Sequence, residues 1–375
     1  MALWSNHWLM LPFFETIWNG YLDLTHRTKM IIGFIVLFLI ISVILLIFIL
    51  ISRGINNRDE RRKEQFESLF ESFIMNIMFE EDLEMVARHI SSLKEQCDTA
   101  FKKKIAVHLL LDYQRNFSGE AQERLCFIYE RMGLGIFLSE ELRQSAWEKK
   151  AHAARAMSLM SDDREVELFI QNLNHKVAEV RNESTFALIR LQGVQAFQFL
   201  HGYQYYLNLW QQIRMIELID DIDNSVAPDL EALLKSENQS VKAFAIRLIY
   251  YFNASYLVPI LEELIKEPLN EECVTESLKV FEKYQYADVV PFYKANYANY
   301  SPKNRLIIIR LIGVCSFDDA HFEFLKQHYE SGSFEEKIAI TQVVDEIDER
   351  LLDELITDKN EEFEMIVAHA KDDRI

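Results

Sequence analysis

Residues 228–252 read PDLEALLKSENQSVKAFAIRLIYYF, residues 259–284 read PILEELIKEPLNEECVTESLKVFEKY, and residues 291–314 read PFYKANYANYSPKNRLIIIRLIGV. The three segments open on Pro228, Pro259 and Pro291, at intervals of 31 and 32 residues. An apolar stripe follows each proline. After a polar stretch, a second apolar run begins 13 or 14 residues on, led by Val241, Cys273 and Asn304. Proline is tolerated in the first turn of a helix, where its missing N–H would have had no intrahelical partner. The pattern predicts paired helices repeated at a period near 31. One such pair cannot bury its own apolar faces, so the units must stack. Only ten glycines and six prolines in 375 residues leave too few turn formers for a β-rich alternative. The expected fold class is all-α.

The second helices carry a finer pattern. Val180-Arg181 is followed by Ser184 and Leu188, and Val241-Lys242 by Ala245 and Leu248; Cys273-Val274 with Ser277 fits more loosely. Asn304-Arg305 with Ile308 and Glu336-Lys337 with Ile340 keep the spacing without the small residue. In these positions the chain resembles the HEAT-repeat family of α-solenoids, in a membrane-anchored bacterial form. The resemblance covers 145–375, with further units around 147–160 and 209–219 and a shortened last unit at Phe363, Met365, Ile366 and Val367. Residues 371–374 would cap it. It implies an α-α superhelix that acts by binding. Residues 66–144 are expected to be helical without an assigned repeat register. Phe66, Leu69, Phe70, Phe73, Ile74, Ile77 and Met78 give an amphipathic helix over 58–78, and others follow at 82–97, 101–115, 120–133 and 139–160.

Nearer the amino terminus, residues 30–51 read MIIGFIVLFLIISVILLIFILI without a charge. Such a helix is about 33 Å long, enough for a hydrocarbon core of about 30 Å. Gly33 and Ser42 are too far apart for a small-residue dimer face. A transmembrane helix over 30–52 is expected. Arg53, Arg58, Arg61, Arg62 and Lys63 follow the span, against Arg27 and Lys29 before it. The positive-inside rule then places the carboxy-terminal domain in the cytoplasm and the amino terminus outside, at a bacterial inner membrane. Residues 53–65 read as a basic juxtamembrane linker. Residues 1–29 hold Trp4, Trp8 and Trp18 with Phe13, Phe14, Ile17 and Tyr21. Two readings stand for them, an aromatic segment in the outer interface or a contact with another membrane protein. Trp4, Trp8, Trp18, Arg53, Arg58, Arg61 and Arg62 are the expected membrane anchors.

Net charge is −19, and it is unevenly spread. Residues 1–52 sum to zero, 53–155 to −1 and 156–375 to −18, of which −12 lies in 316–375. An acidic array repels phosphate backbones, so nucleic acid is not an expected partner. Cys97, Cys126, Cys273 and Cys315 form no CxxC pair and read as core residues in a reducing compartment. No H-E-x-x-H motif, no His-Glu dipeptide and no glycine-rich phosphate loop occurs. Asp220, Asp221 and Asp223 lack the glycine and distal glutamate of a calcium loop and read as a helix-terminal turn capped by Asn224 or Ser225. His321 and His328 supply half a zinc site at most. No catalytic residue, metal or cofactor is expected.

Aromatic richness in the repeats is the surface feature that stands out. Tyr203, Tyr205, Tyr206, Tyr250, Tyr251, Tyr284 and Tyr286 are the candidate partner-binding residues, because tyrosine joins apolar area to a polar tip. The expected function is non-enzymatic: a membrane-tethered cytoplasmic scaffold that docks a membrane-associated protein. The resemblance suggests an accessory subunit of a bacterial envelope glycosyltransferase or secretion complex. The alternative, also suggested by resemblance, is a HEAT-like lyase or small-ligand-binding domain.

Overall fold

A computed structural model of the chain describes residues 25–80, 82–144, 146–220, 228–315, 317–355 and 361–371. Among them every regular element is a helix, and there is no strand. The first, α1 (His26–Phe79), runs for 54 residues. Thr25 caps it, its hydroxyl accepting from the Thr28 N–H at 3.5 Å. Within α1, His26–Arg53 is long and apolar enough to cross a membrane, and its most apolar window is not buried by the rest of the chain. Residues 53–65, expected as a linker, are instead part of this one helix. Arg, Lys and Glu are good helix formers, and Lys63 pairs with Glu67 at 3.5 Å across one turn. The basic stretch is stalk, not hinge.

α1 continues into the first of two compact units, which divide at Tyr113/Gln114. Here α1 packs with α2 (Leu83–Gln96) and α3 (Ala100–Asn116). The Phe73 ring meets His89 edge-on at 6.2 Å, whereas Lys102 Nζ stands 5.8 Å over the Phe66 ring. Moving back along α1 from 73 to 66 thus moves forward from 89 to 102, so α2 runs antiparallel to α1. Phe66, Phe70, Ile74 and Ile77 form the core with Val86, Ile90 and Leu93.

The second unit holds α4 (Glu120–Met132), α5 (Leu134–Arg143), α6 (Trp147–Leu159), α7 (Val166–Asn172), α8 (Ala178–Gln192) and α9 (Leu209–Asp220). It continues with α10 (Leu230–Leu234), α11 (Gln239–Tyr251), α12 (Val258–Leu264), α13 (Glu271–Tyr284), α14 (Val290–Ala295) and α15 (Pro302–Val314). It ends with α16 (Asp319–Ser331), α17 (Phe334–Ile347), α18 (Leu352–Leu355) and α19 (Glu361–Ala370). The helix expected over 139–160 is two, α5 and α6, broken at residues 144–146, where no glycine or proline marks the break. α5 packs on α6, so residues 114–144 belong with the repeats that follow.

Long helices form one layer: α6 packs on α8, and α11, α13, α15, α17 and α19 pack each on the next. Between them, α7, α10, α12, α14 and α16 each lie against the helix that follows. This is a helical solenoid. Its register is set by a repeated residue: Val180, Val241, Cys273, Asn304 and Glu336 each occupy the third position of a long helix. Four residues later stand Ser184, Ala245, Ser277, Ile308 and Ile340, every one wholly buried. A further helical turn brings Leu188, Ile249, Phe281, Ile312 and Val344, also enclosed. The i, i+4, i+8 line is the seam along which the long helices touch. Burying each large side chain on it contributes about 1.5–3 kcal/mol. At Gly313 the approach is close: a Cβ there would fall 2.6 Å from Val343 Cγ1.

Side chains start the long helices cleanly. Asn238, Asn270 and Ser301 cap α11, α13 and α15, and Ser333 forms a capping box with Glu336 on α17. Pro259 and Pro291 stand in the first turns of α12 and α14, as their spacing predicts, and Pro228 stands just ahead of α10.

Candidate functional site

The seven candidate tyrosines fall into two groups. Tyr203 is buried, and its ring meets that of Tyr205 at 6.4 Å. The Arg181 guanidinium lies 3.6 Å over the Tyr205 ring, and Asn238 Nδ2 donates to the backbone oxygens of Tyr203 and Tyr205 at 2.8 and 2.7 Å. Tyr206 is 66% exposed and donates its hydroxyl to Glu272 Oε2 at 3.2 Å. This group sits at the amino-terminal ends of α11 and α13.

The other group is at the opposite ends of the same helices. Tyr250 and Tyr251 close α11, and Tyr284 closes α13. Lys283 Nζ lies 4.0 Å over the Tyr250 ring and donates to Asn253 Oδ1 at 2.6 Å. Tyr286 donates to Glu262 Oε2 at 2.7 Å, and that bond is the main reason its pKa is pushed up to about 12. Twelve helical steps, about 18 Å, separate the two ends of α11. The structure therefore does not gather the seven tyrosines on one face.

A different patch is gathered. α9 starts inside out: Gln211 and Gln212 are buried, whereas Leu209, Trp210 and Ile213 are 52%, 62% and 46% exposed. The glutamines point inward because they tie neighbouring helices together. Gln211 Nε2 donates to Asn182 Oδ1 on α8, and Arg247 of α11 donates to Gln212 Oε1. Satisfying those buried groups fixes the face of α9, with Met215, Leu218 and Ile219 inward and Leu209, Trp210 and Ile213 outward. Tyr206, also exposed, lies just ahead of α9 and reaches toward α13 instead. One edge of Trp210 is held by Phe186 at 5.9 Å. The sequence does not single out Trp210, and the two glutamines that follow it are the only local sign that this face turns outward.

Beside α9, Glu183 on α8 is half-buried. Burial pushes its pKa up, against the opposing pull of Arg155, Arg190 and Arg214.

A cavity of about 690 Å³ opens between α4 and the turn after α6. At its wall the buried Tyr129 hydroxyl donates to Asp162 Oδ2 at 2.7 Å, and Arg164 Nε donates to Asp162 Oδ1 at 2.6 Å. Asp162 presses so closely on α5 that a Cβ at Gly135 would lie 2.4 Å from its Oδ2. Both oxygens of this carboxylate are engaged. Cys126 also lines the cavity, and burial pushes its thiol pKa up, the reverse of the activation a nucleophile needs.

Cys97, Cys273 and Cys315 are buried and Cys126 is half-buried, all as free thiols. Burial pushes Cys97 up to about 11 and Cys273 up to about 12. Among the described residues no group of His, Cys, Asp and Glu is arranged to hold a metal ion. His321 bonds its own helix cap, Asp318, and His328 packs between the rings of Tyr297 and Phe324 while its Nδ1 lies 2.9 Å from Phe324 O. The two imidazoles have separate surroundings. Asp220 ends α9, and Asp221, Asp223, Asn224 and Ser225 lie outside the described residues. So do Trp4, Trp8 and Trp18 and residues 372–374 of the expected cap. Arg53, Arg61 and Arg62 are exposed on α1, where Arg58 is described by its helical backbone alone.

Compared with protein-family models and with curated proteins, the sequence matches none.

Proposed function

We propose that this protein is a membrane-tethered scaffold whose helical repeats, HEAT-like in register, hold a membrane-associated protein partner on the cytoplasmic side. The observation that carries the reading is the exposed Leu209, Trp210 and Ile213 on one face of α9. Three large apolar side chains exposed together on an ordered helix are the composition of an interface core. Their orientation is fixed from beneath by buried glutamines, so the patch is preorganised rather than an accident of a mobile loop. The basic flank of the apolar span supports a cytoplasmic array.

The test is a photo-crosslinking residue at position 213 of the full-length protein in its native membrane. One crosslinked protein of defined mass, lost in the Trp210→Ala variant, is the expected result. Crosslinks to many proteins alike, or none, would overturn the scaffold reading. The small-ligand alternative is favoured by the cavity beside Tyr129 and Asp162 alone. A ligand held there would protect Cys126 from alkylation and leave the crosslink at 213 unchanged.

A further inference from the structure

Two stretches of the first helical hairpin carry the opposite charge from the repeats, although residues 53–116 as a whole sum to −1. Residues 53–65 and 95–104 together hold eight basic and five acidic side chains, against −18 for residues 156–375. These two stretches are far apart in sequence, but the fold brings them together. Because α2 runs antiparallel to α1, the turn between α2 and α3 returns toward the end of α1 that adjoins the apolar span. There a cavity of about 710 Å³ is lined by Arg62, Phe66 and Leu69 of α1 with Gln96, Phe101 and Lys102. Phe101 is 46% exposed at its rim. Lys102 is shared with Asp98 at 2.9 Å, and Arg61, Arg62 and Lys104 are exposed.

Helix continuity fixes the height of this end above a bilayer. Arg62 is eleven residues beyond Ile51, about 16 Å along an unbroken helix. The polar layer on each side of a bilayer accounts for about 5–8 Å of that. About 10 Å remain, which the length of an arginine or lysine side chain and a Debye length of about 8 Å together span.

We propose that the α2–α3 turn is a second, peripheral membrane contact, in which Phe101, Lys102 and Arg62 rest on the anionic leaflet from which α1 emerges. The proposal rests on the reading of α1 as membrane-spanning. It adds that the leaflet's lipid charge holds the hairpin down while the acidic repeats are repelled from the same surface. An exposed aromatic ring among cations suits the water-facing edge of a headgroup layer, where the cations meet phosphate across the remaining distance.

The test uses the full-length protein in nanodiscs of phosphatidylcholine alone and of phosphatidylcholine with about 30% phosphatidylglycerol, an anionic lipid. Amide hydrogen exchange is followed at 95–104 and, as internal control, at 30–51. Protection of 30–51 in both discs reports the span. The expected result is exchange at 95–104 slowed about fivefold in the anionic discs, the factor equivalent to about 1 kcal/mol for one basic contact. Salt near 0.5 M should erase the difference, since the Debye length then falls to about 4–5 Å. So should the Arg62→Gln/Lys102→Gln variant, and Phe101→Ser should weaken it. Equal exchange at 95–104 in the two discs, with 30–51 protected, overturns the proposal. Rapid exchange at 30–51 in either disc overturns the span itself.

Discussion

Arg247 Nη2 on α11 stands 2.9 Å from Glu276 Oε1 on α13, and Lys279 Nζ meets the same oxygen at 2.9 Å. The pair ties two rungs of the solenoid across the seam, 29 residues apart in sequence. Similar ties recur further along: Arg310 with Glu282 at 2.8 Å, Arg305 with Glu336 at 3.2 Å, and Lys337 with Glu362 at 2.7 Å.

Glu276→Gln should destabilise the repeats by roughly 1–2 kcal/mol, because partly buried Arg247 would keep only the more distant Glu272, at 3.8 Å, as counter-charge. Burial alone would raise the Glu276 pKa, but Arg247 and Lys279 outweigh it and hold the carboxyl below the usual range. A carboxylate with a depressed folded pKa stabilises above its unfolded value, near 4.3, and loses that contribution as pH falls through the folded one. Urea unfolding of the full-length protein should show a wide gap between parent and variant at pH 7 that closes below about pH 4. A gap independent of pH would mean the carboxylate charge plays no part.

Glu183 has the reverse sign. Burial raises its pKa in the fold despite three arginines. The ionised form is therefore penalised, and stability falls as pH rises through the folded value. Glu183→Gln should gain roughly 0.5–1 kcal/mol at pH 7. The gain should vanish at a pH where the parent carboxyl is protonated, and a loss of stability at pH 7 would show that the arginines dominate.

Gly135→Ala and Gly313→Ala should each cost roughly 1–3 kcal/mol, as overpacking of a filled contact does. The two differ in remedy. At 313 the clash is with the Val343 side chain, so Val343→Ala in the same chain should restore part of the loss. At 135 the added methyl meets both Asp162 and the Arg164 guanidinium, which bond each other, so Tyr129→Phe leaves that pair in place and should not rescue. Melting temperatures of the single and double variants decide both.

Leu209→Ser and Ile213→Ser should change stability by no more than about 0.5 kcal/mol, because both side chains already face outward. The same substitutions should lower capture of the partner from the native membrane. A variant that unfolds would instead place these residues in the core.

The solenoid register could be read from the sequence because burial on the long helices repeats every four residues. Val180, Val241 and Cys273 with their followers mark the seam whatever their neighbours do. Asn304 and Glu336 occupy the same third position although neither is apolar, since their polar atoms are satisfied within the seam: Thr275 bonds Asn304 at 2.7 Å, and Glu336 completes the cap of its own helix. The tyrosines were less legible. Composition places Tyr206 and Tyr250 in adjacent units, but only the direction of α11 shows that they stand at opposite ends. For α9, Met215, Leu218 and Ile219 form a buried face, and what the sequence hid is that Gln211 and Gln212 extend that face while Leu209, Trp210 and Ile213 turn outward. Residues 53–65 look like a linker by charge, yet charge on long side chains is compatible with helix, and only a glycine or proline run would have argued otherwise.

On the proposed reading of α1 as membrane-spanning, its unbroken course makes position above the bilayer a matter of counting. Each residue inserted after Arg53 would lift the hairpin by about 1.5 Å and swing it by about 100° around the helix axis. Seven residues would raise it by about 10 Å while nearly preserving its azimuth; four would raise it by about 6 Å and turn it by about 40°. A flexible tether would absorb either change. Here the segment between span and hairpin behaves as a ruler with a phase, so a length variant with intact composition can still misaddress the hairpin it carries.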